Sequence, residues 1–406
     1  ILNLVPMDLN NLKSDPIVVV GGGFGGLATV QALLAKSDGT SVILIDEGNR
    51  FLFKPLLYEL LSGELQLWEV APQYSDLASE LGFIFLQECV VEIDEIAQKL
   101  ITSSEIEITY SQLVISTGVT TNYSLLENLQ DYACGFSNLN DFRIIKKLIT
   151  KINNSSEYTN PIVIAGAGPT GVELACKISD LIKDRVEIYL VDKGDKILPT
   201  CKSFNREKAI EAIGKRNIRV YLDYFIKSVD KTFLELYSTD NEINNYIKID
   251  YSTLLWTAGL KPSKSKFLYH FLNENQKIKV NKFMQMDEYK NIFFVGDITF
   301  CENSPFPSSA QVAMQQGSLV AQNIISLRKG NELKPFQFED LGEMLSLGIG
   351  NASITGYGIT LAGPLAFEIR RFAYLMRMPG FLLSFKSSGS WLFSKKIINR
   401  LFSQSP

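Results

Sequence analysis

One pattern occurs twice in this chain, and it narrows the possible folds more than any other feature. In its first copy, an apolar strand at Ile17–Val20 is followed by the turn GGGFGG at 21–26 and by a helical stretch, Leu27–Lys36. A second apolar strand, Val42–Ile45, then ends at Asp46. This order of strand, glycine-rich turn, helix, strand and acid predicts a parallel α/β sheet that binds a dinucleotide.

Each residue type in this pattern has a physical reason. Gly21 is expected to make the tight turn, and Gly23 to let the backbone approach a pyrophosphate. Gly26 is expected to allow the helix to pack closely on the strand. The helix N-terminus would face the phosphates, and Asp46 would accept hydrogen bonds from ribose hydroxyls.

The second copy is equally complete. A strand at Ile162–Ala165 leads into GAGPTG at 166–171 and a helix at 172–182, and the strand Val186–Val191 ends at Asp192. Two complete patterns require two dinucleotides. Because hydride transfer needs a donor and an acceptor, we expect a resident flavin and a visiting nicotinamide.

Two later strands are predicted to return to the first fold. One spans 250–256 and ends in a turn of small residues at 257–259, and the other spans 291–295 and ends at Gly296 and Asp297. Either strand alone would be ordinary sheet core. In two-dinucleotide flavoproteins an aspartate in this place accepts hydrogen bonds from the ribityl chain of FAD, so Asp297 is expected to be a flavin ligand.

The composition excludes several kinds of site. The five cysteines are far apart and form no CxxC pair, which argues against a disulfide framework. His270 is the only histidine, so neither a histidine base nor a histidine-rich metal site is expected. We expect no metal and no nucleic-acid partner.

Several longer motifs carry a resemblance to one known family. They are LFKPLLYE (52–59), GAGPTGVELA (166–175), WTAG (256–259), VGD (295–297) and AQVAMQQ (310–316). Together with GGGFGG they resemble the type II NAD(P)H dehydrogenases, which are single-subunit NAD(P)H:quinone oxidoreductases. WEVAP (68–72) and LGEMLSLG (341–348) are most similar to the cyanobacterial and plastid branch, which is associated with demethylphylloquinone and plastoquinone reduction.

The resemblance implies an activity and a set of site residues. The enzyme would take a hydride from NADH or NADPH onto non-covalent FAD and pass two electrons to a membrane quinone, without pumping protons. Gln311 and Gln315 would lie beside the flavin at the quinone site. Glu173 would lie near nicotinamide and flavin, with either a chemical role or only a favourable place in the first turn of a helix. The cofactor-binding residues are expected to be Gly21, Gly23, Phe24, Gly25, Gly26, Asp46, Lys54, Thr117, Gly118, Gly166, Gly168, Pro169, Thr170, Gly171, Asp192, Ala258, Gly259, Gly296, Asp297, Ala310, Gln311 and Val312.

Asp192 bears on the choice of donor. A carboxylate at the end of that strand binds the ribose diol of NAD and repels the 2′-phosphate of NADP. Lys193 and Lys196 can offset this repulsion, so both donors remain open.

The C-terminal end is basic and amphipathic. From 390 to 403, helical spacing puts Trp391 and Ile398 on an apolar side and Lys395 on the opposite side. This predicts an interfacial helix on an anionic lipid surface, and the segment 370–377 has similar chemistry. The alternative is a helix packed on the protein or on a second copy in a homodimer. We expect a peripheral membrane protein, on the cytoplasmic face of a plasma or thylakoid membrane or in a plastid, without a membrane-spanning helix.

The expected fold class is α/β, with two Rossmann-like dinucleotide-binding domains and a C-terminal membrane-associating region. The boundaries are an N-terminal tail at 1–15, FAD-binding segments at 16–125 and 260–340, an inserted NAD(P)H-binding domain at 126–259, and a C-terminal region at 341–406.

Three rivals are weighed against this function. A soluble disulfide reductase needs a cysteine pair beside the flavin, and residues 27–88 contain no cysteine; a ferredoxin reductase is the other soluble version. A sulfide:quinone oxidoreductase would need Cys134 and Cys301 to cooperate. A flavoprotein that only senses NADH would turn over slowly.

Overall fold

A computed structural model of the chain describes residues 16–36, 39–155, 159–240, 246–263, 265–273, 276–302 and 305–380. The predicted helix at 390–403 and the predicted tail at 1–15 lie outside the described residues.

The strands and the helices within these ranges are numbered separately, each in chain order. The strands are β1 Ile17–Val20, β2 Val42–Asp46, β3 Ile84–Gln87, β4 Val90–Asp94, β5 Lys99–Thr102, β6 Glu107–Thr109, β7 Gln112–Ile115, β8 Val119–Thr121, β9 Ala133–Cys134, β10 Ile162–Ala165, β11 Ile188–Val191, β12 Ile218–Tyr221, β13 Tyr224–Val229, β14 Phe233–Ser238, β15 Tyr246–Asp250, β16 Thr253–Trp256, β17 Leu260–Pro262, β18 Ile278–Lys279, β19 Ile292–Phe294, β20 Thr299–Phe300, β21 Glu343–Ser346, β22 Ala352–Gly356 and β23 Ile359–Gly363. The α-helices are α1 Phe24–Leu34, α2 Leu57–Leu61, α3 Leu67–Val70, α4 Tyr74–Leu81, α5 Leu129–Tyr132, α6 Leu139–Asn154, α7 Pro169–Ile182, α8 Ser203–Gly214, α9 Ala310–Arg328 and α10 Pro364–Leu375, and short 3₁₀ helices occur at Lys54–Leu56, Tyr123–Leu125 and Lys266–Leu268.

The chain divides into two compact units, and each unit is assembled from three segments. Unit 1 contains Ile1–Leu52, Ala71–Thr120 and Lys261–Glu339, and unit 2 contains Phe53–Val70, Thr121–Leu260 and Asp340–Pro406. The segment 53–70 differs from the boundaries expected from sequence, which kept it with the first fold. Its helix α2 packs instead against α6 and α7.

Unit 1 is built on a five-stranded parallel sheet with the order β19-β7-β1-β2-β3. Ile17 at the start of β1 lies opposite Val42 on one side and Gln112 on the other. β1 is an uninterrupted apolar run and β7 is apolar after Gln112, and both are buried along their length, as expected for a sheet that is covered on both faces. Helices α1 and α9 pack closely on each other. Residue 317 must be glycine for this, because a Cβ there would lie 2.3 Å from the carbonyl oxygen of Gly25.

Unit 2 repeats this arrangement with the order β12-β11-β10-β16-β9, again parallel throughout. The strand predicted at 250–256 was expected to return to the first fold, and that expectation is wrong, whereas the inserted domain expected at 126–259 already included this strand. Its structured part, β16, pairs with β10, with Thr253 opposite Ile162. The sequence of a short apolar strand does not indicate which sheet the strand joins. The sheet is identified only by the strand with which it pairs in the structure.

The C-terminal part of unit 2 is a small antiparallel sheet, β21-β22-β23, followed by α10. Phe367 on α10 is fully buried and packs with Ala352 and Ala366. Among the described residues, no helix is both long enough and apolar enough to cross a bilayer.

Candidate dinucleotide sites and a buried charge cluster

The first glycine turn has the geometry that its sequence predicts. Gly21 has a φ of 97°, and the hydroxyl of Ser116 donates a hydrogen bond of 2.6 Å to its carbonyl oxygen. A Cβ at Gly26 would lie 1.9 Å from that same oxygen, so no larger residue fits there. A Cβ at Gly23 would meet no described atom within 4 Å, so the backbone there is open to a ligand. Ser116 was not among the predicted site residues, because a serine after a strand is not distinctive by itself.

Asp46 closes the same turn. Its carboxylate accepts hydrogen bonds from the backbone N–H groups of Gly22 at 2.6 Å and Gly48 at 2.7 Å. Burial raises the pKa of Asp46, and the two N–H groups oppose that effect. The hydroxyl of the buried Tyr74 donates to the carbonyl oxygen of Gly22 at 2.7 Å. Tyr74 was not predicted as a site residue, because it lies on α4, far along the chain from this turn.

The start of α9 lies against this turn. A Cβ at Gly25 would lie 2.8 Å from Cγ2 of Val295 and 3.4 Å from the carbonyl oxygen of Ala313. The Ser309 hydroxyl caps the helix by accepting from the N–H of Val312 at 3.2 Å. The fold therefore brings together the GGGFGG turn, the residue before Gly296 and the first turn of α9.

Unit 1 also contains polar atoms that fit a bound FAD. Nε2 of Gln316 and Oγ1 of Thr117 are buried and have no hydrogen-bond partner among the described residues. Thr117 lies at the turn, since a Cβ at Gly21 would be 2.9 Å from its Cα. Unsatisfied buried polar atoms beside an open backbone at Gly23 are what a ligand with many hydrogen-bonding groups would satisfy.

The three glutamines of the motif AQVAMQQ, at the start of α9, have different surroundings. Gln315 is half-buried, and its side-chain amide both donates to the carbonyl oxygen of Glu339 at 2.8 Å and accepts from its N–H at 3.0 Å. Gln316 is fully buried and accepts from the N–H of Gly296 at 2.7 Å. Gln311 lies half-buried in the first turn. The sequence predicted Gln311 and Gln315 as site residues and missed Gln316, although the motif AQVAMQQ contains it.

The second glycine turn repeats the first in unit 2. Gly166 has a φ of 102°, and a Cβ at Gly171 would lie 1.8 Å from the Gly166 carbonyl oxygen. Thr257 takes the place of Ser116 and donates to the same oxygen at 3.2 Å. A Cβ at Gly168 would meet no described atom within 4 Å. Asp192 accepts from the N–H of Ala167 at 2.6 Å, as Asp46 does from Gly22.

The remaining predicted residues are divided between the units. Gly118, Asp297, Ala310 and Phe24 belong to unit 1. Lys54, Pro169, Thr170, Ala258 and Gly259 belong to unit 2, where Pro169 is the first residue of α7 and Lys54 is exposed.

Glu173 lies in the first turns of α7 within a buried cluster of charges. Its Oε1 accepts from the N–H of Ser346 at 2.7 Å and lies 3.5 Å from Nη2 of Arg370. Arg370 is bonded to Glu59 at 2.6 Å, and neither side chain is exposed. Burial raises the pKa of Glu173 to about 7, although the charge of Arg370 and the N–H of Ser346 oppose the rise. Tyr58 also hydrogen-bonds to Glu173.

The prediction that residues 370–377 resemble a membrane-binding segment is wrong for Arg370. Its guanidinium is fully buried, donates to the carbonyl oxygen of Pro55 at 2.8 Å and forms the two ion pairs with Glu59 and Glu173. Helical spacing does not decide whether an arginine in an amphipathic stretch faces solvent or the protein interior. Arg370 faces the interior, where it meets Glu59 of α2 and Glu173 of α7, and both are far from it in the sequence.

The cysteines do not favour sulfide chemistry. All five are free thiols. Burial, with a contribution from Asp141, raises the pKa of Cys134 to about 12, which leaves almost no thiolate near neutral pH. Cys301 is buried.

Comparison with known proteins places this geometry in a family. Residues 15–317 match the family model described as pyridine nucleotide-disulphide oxidoreductase. The chain is 34% identical over 390 residues to demethylphylloquinone reductase NdbB of Synechocystis sp., with 93% of this chain and 95% of that protein covered. It is 30% identical over 429 residues to the alternative NAD(P)H-ubiquinone oxidoreductase C1, chloroplastic/mitochondrial, of Arabidopsis thaliana, covering 96% and 82%.

Two solved structures share the fold at low identity. NDH2 of Plasmodium falciparum in complex with NADH superposes with a TM-score of 0.80 at 19% identity, covering 92% of this chain and 96% of that chain. The sulfide:quinone oxidoreductase of Aquifex aeolicus has a TM-score of 0.76 at 19% identity, covering 94% and 96%. The resemblance drawn from the sequence motifs is confirmed by the curated relatives. The chain belongs to the pyridine nucleotide-disulphide oxidoreductase family and, within it, to the type II NAD(P)H:quinone oxidoreductases.

Proposed function

We propose that this protein is an FAD-dependent NAD(P)H:quinone oxidoreductase that reduces a membrane quinone of the demethylphylloquinone or plastoquinone type. The observation that carries the proposal is the pair of glycine turns, one in each unit, with the same close contacts and the same open backbone at the second glycine of the GxGxxG pattern. Demethylphylloquinone follows the name of one curated relative, and plastoquinone follows the resemblance of WEVAP and LGEMLSLG to the cyanobacterial and plastid branch. Another relative is named a ubiquinone oxidoreductase.

The residues of unit 1 would hold FAD. Gly23 leaves room for the pyrophosphate, Asp46 lies at the strand end expected for the adenosine ribose, and Asp297 follows Gly296 at the end of the β19 segment. FAD, when bound, supplies the chemistry that accepts a pair of electrons and passes them on. The positive end of the α9 dipole, with Ser309 as its cap, would stabilise negative charge at the flavin ring.

The residues of unit 2 would hold the nicotinamide donor. Gly168 leaves room for its pyrophosphate, and Asp192 would accept from the ribose diol. The exposed Lys193 and Lys196 lie in the same loop and can attract a 2′-phosphate. We propose NADH as the preferred donor, because the Asp192 carboxylate is fixed by two backbone N–H groups, at 2.6 Å from Ala167 and 2.8 Å from Gly194.

Gln311 and Gln315 are proposed to act at the quinone site, where a side-chain amide can donate to a quinone carbonyl as it gains charge. The amide of Gln315 already bonds both backbone groups of Glu339, so its donor would have to leave that carbonyl to reach a quinone.

A lipid-confined quinone requires contact with a membrane, and α10 supports peripheral binding. Leu365, Ile369, Phe372 and Met376 follow one face of this helix and are 62%, 44%, 42% and 57% exposed. Their spacing is that of an interfacial amphipathic helix. We propose that this face and the predicted basic helix at 390–403 bind an anionic membrane surface, on the cytoplasmic side of a plasma or thylakoid membrane or within a plastid. A homodimer through the same face is the alternative.

Steady-state turnover of the purified protein tests the proposal. NADH oxidation should be fast with a water-soluble quinone and slow without one, and the released flavin should be FAD. Fast sulfide oxidation with a quinone, without a need for NADH, would support the sulfide:quinone alternative. NADH binding without turnover would support the sensor alternative.

A further inference from the structure

Three side chains in unit 2 form a buried cluster with an unbalanced charge. Glu59 from α2, Glu173 from α7 and Arg370 from α10 share one interior, and the side chains of Glu59 and Arg370 are 0% exposed. The cluster has one guanidinium and two carboxyl groups. With both carboxylates ionised it carries a net negative charge, and a single proton makes it neutral. A buried charge without compensation is costly, so the cluster favours holding that proton.

The distances from Arg370 to the two carboxyl groups indicate that Glu173, rather than Glu59, holds the proton. Nη1 of Arg370 lies 2.6 Å from Oε1 of Glu59, whereas its Nη2 lies 3.5 Å from Oε1 of Glu173. The guanidinium is therefore committed mainly to Glu59. Glu173 accepts a hydrogen bond of 2.7 Å from the N–H of Ser346.

Two atoms of the cluster are left unsatisfied. Oε2 of Glu59 and Nε of Arg370 are buried without a hydrogen-bond partner among the described residues. These atoms give the guanidinium room to redistribute its bonds between the two carboxyl groups, since neither group uses all of its capacity.

From this arrangement we propose that Arg370 is a positioning residue that sets the proton affinity of Glu173, and that Glu59 is the counterion that controls how strongly it does so. The proposal rests on the proposed function only in one respect, namely that quinone reduction uses the proton held by Glu173. Reduction of a quinone by NADH consumes one proton from solution, as NADH + H⁺ + quinone gives NAD⁺ + quinol. A carboxyl group that changes protonation near neutral pH can hold this proton between turnovers.

The other titratable groups described around Glu173 do not replace Arg370 in setting its proton affinity. Tyr58 and Tyr374 face the cluster, and burial raises the pKa of each, so both stay neutral near pH 7. Lys177, one turn further along α7, is fully buried and paired with Glu64 at 3.0 Å.

The remaining neighbours are thiols and one acid on β21. Burial raises the pKa of Cys176 to about 12 and that of Cys201 to about 11, so both are neutral near pH 7. Glu343 is bonded to the N–H of Lys202 at 2.9 Å and to Asn205 at 3.1 Å. Arg370 is therefore the cation bonded directly to Glu173 within the described part of the chain.

Opposite shifts in two variants distinguish this control from a structural role. Glu59→Gln removes a negative neighbour and releases Arg370 towards Glu173, so Glu173 should lose its proton at lower pH. Arg370→Gln removes the cation, so Glu173 should keep its proton to higher pH. Each change should move the midpoint by about 1 pH unit or more. The double variant should fall between them, because the two removed charges act on Glu173 in opposite directions and their losses partly cancel.

Infrared spectroscopy of the FAD-loaded protein, without NADH or quinone, measures the midpoint directly. The protonated-carboxyl band of Glu173 is the band that disappears in Glu173→Gln, and its intensity is followed against pH in each variant. Glu69→Gln is the control, because Glu69 is also a buried carboxylate of unit 2 and its Oε2 accepts from the N–H of Gln66 at 2.7 Å. In Glu69→Gln the midpoint of the Glu173 band should equal that of the unaltered protein.

Shifts in the same direction, or no shift in Glu59→Gln, would overturn the proposal. If Arg370→Gln fails to fold, Arg370→Lys replaces it. Because Lys keeps the positive charge, the midpoint should move by less than about 1 pH unit, while Glu59→Gln must still lower it. Because no substrate is present, the result holds whether or not the protein reduces a quinone, and steady-state turnover tests that function separately.

Discussion

The two units use the same turn but surround it differently. In both, a Cβ on the third glycine of the pattern would lie within 2 Å of the first glycine's carbonyl oxygen, at 1.9 Å for Gly26 and 1.8 Å for Gly171. In both, a hydroxyl from a neighbouring strand end donates to that oxygen. Two residues beyond the third glycine, however, unit 1 has Ala28 and unit 2 has Glu173.

We propose that this difference separates the part of the pattern that binds a dinucleotide from the part that carries chemistry. The turn is fixed by backbone contacts that admit no substitution, so it identifies a dinucleotide site and nothing finer. Unit 1 packs the start of α9 against its turn, which suits a cofactor that stays bound. Unit 2 packs a buried charge cluster against the helix of its turn, which suits a site where protonation changes.

The largest effect is expected from matched glycine substitutions that test this division. Gly26→Ala should give protein without FAD, because its Cβ would clash with backbone at 1.9 Å. Gly171→Ala should keep FAD, but its reduction by NADH should slow by roughly 100-fold, because the donor turn is displaced. Flavin absorbance and stopped-flow bleaching measure the two outcomes.

Gly214→Ala is the control for both, since a Cβ there meets no described atom within 4 Å. It should retain FAD and normal bleaching. Loss of FAD from Gly171→Ala would show that the units do not bind their dinucleotides separately.

A smaller effect is expected for the acid of the second turn. Asp192→Ala should raise the ratio of kcat/KM for NADPH to that for NADH by roughly tenfold, because it removes a carboxylate that repels the 2′-phosphate. Asp195→Ala, an exposed acid in the same loop, removes the same charge and should change the ratio far less. Equal effects of both variants would mean that only the charge of the loop matters.

The glutamines of α9 sharpen the comparison within unit 1. Gln311→Ala should slow reoxidation of the flavin by quinone by about fivefold, the cost of one lost hydrogen bond in the transition state, and leave reduction by NADH nearly unchanged. Gln315→Ala should have a smaller kinetic effect, because its amide is bonded to Glu339. Stopped-flow traces of the two half-reactions measure both. Equal slowing of the half-reactions in Gln311→Ala would indicate a displaced flavin.

The smallest effect is expected at the surface of unit 2. Changing both Leu365 and Ile369 to serine should weaken binding to anionic vesicles by about threefold, because the predicted helix at 390–403 contributes as well. Ile210→Ser on α8 is the control, since Ile210 is also an exposed apolar residue of this unit, at 55%. Co-sedimentation measures binding, and equal losses in both variants would argue against a specific face.

The sequence predicted the parts of this fold that depend on local pattern. Both glycine turns and the acids at Asp46 and Asp192 were predicted from residues close together in the chain. It misassigned β16, because a four-residue apolar strand can join either sheet. Nor did it indicate the partners of Arg370, which come from α2 and α7, since burial of a charge depends on contacts between distant segments.

Anaerobic titration of the FAD-loaded protein tests the division between the two units most directly. One equivalent of NADH per flavin should bleach the flavin fully, and one equivalent of a water-soluble quinone should restore its absorbance. In Gly171→Ala the flavin should be present but should resist bleaching at the same NADH concentration. Flavin that NADH bleaches equally in both proteins, or that quinone fails to restore, would contradict the account.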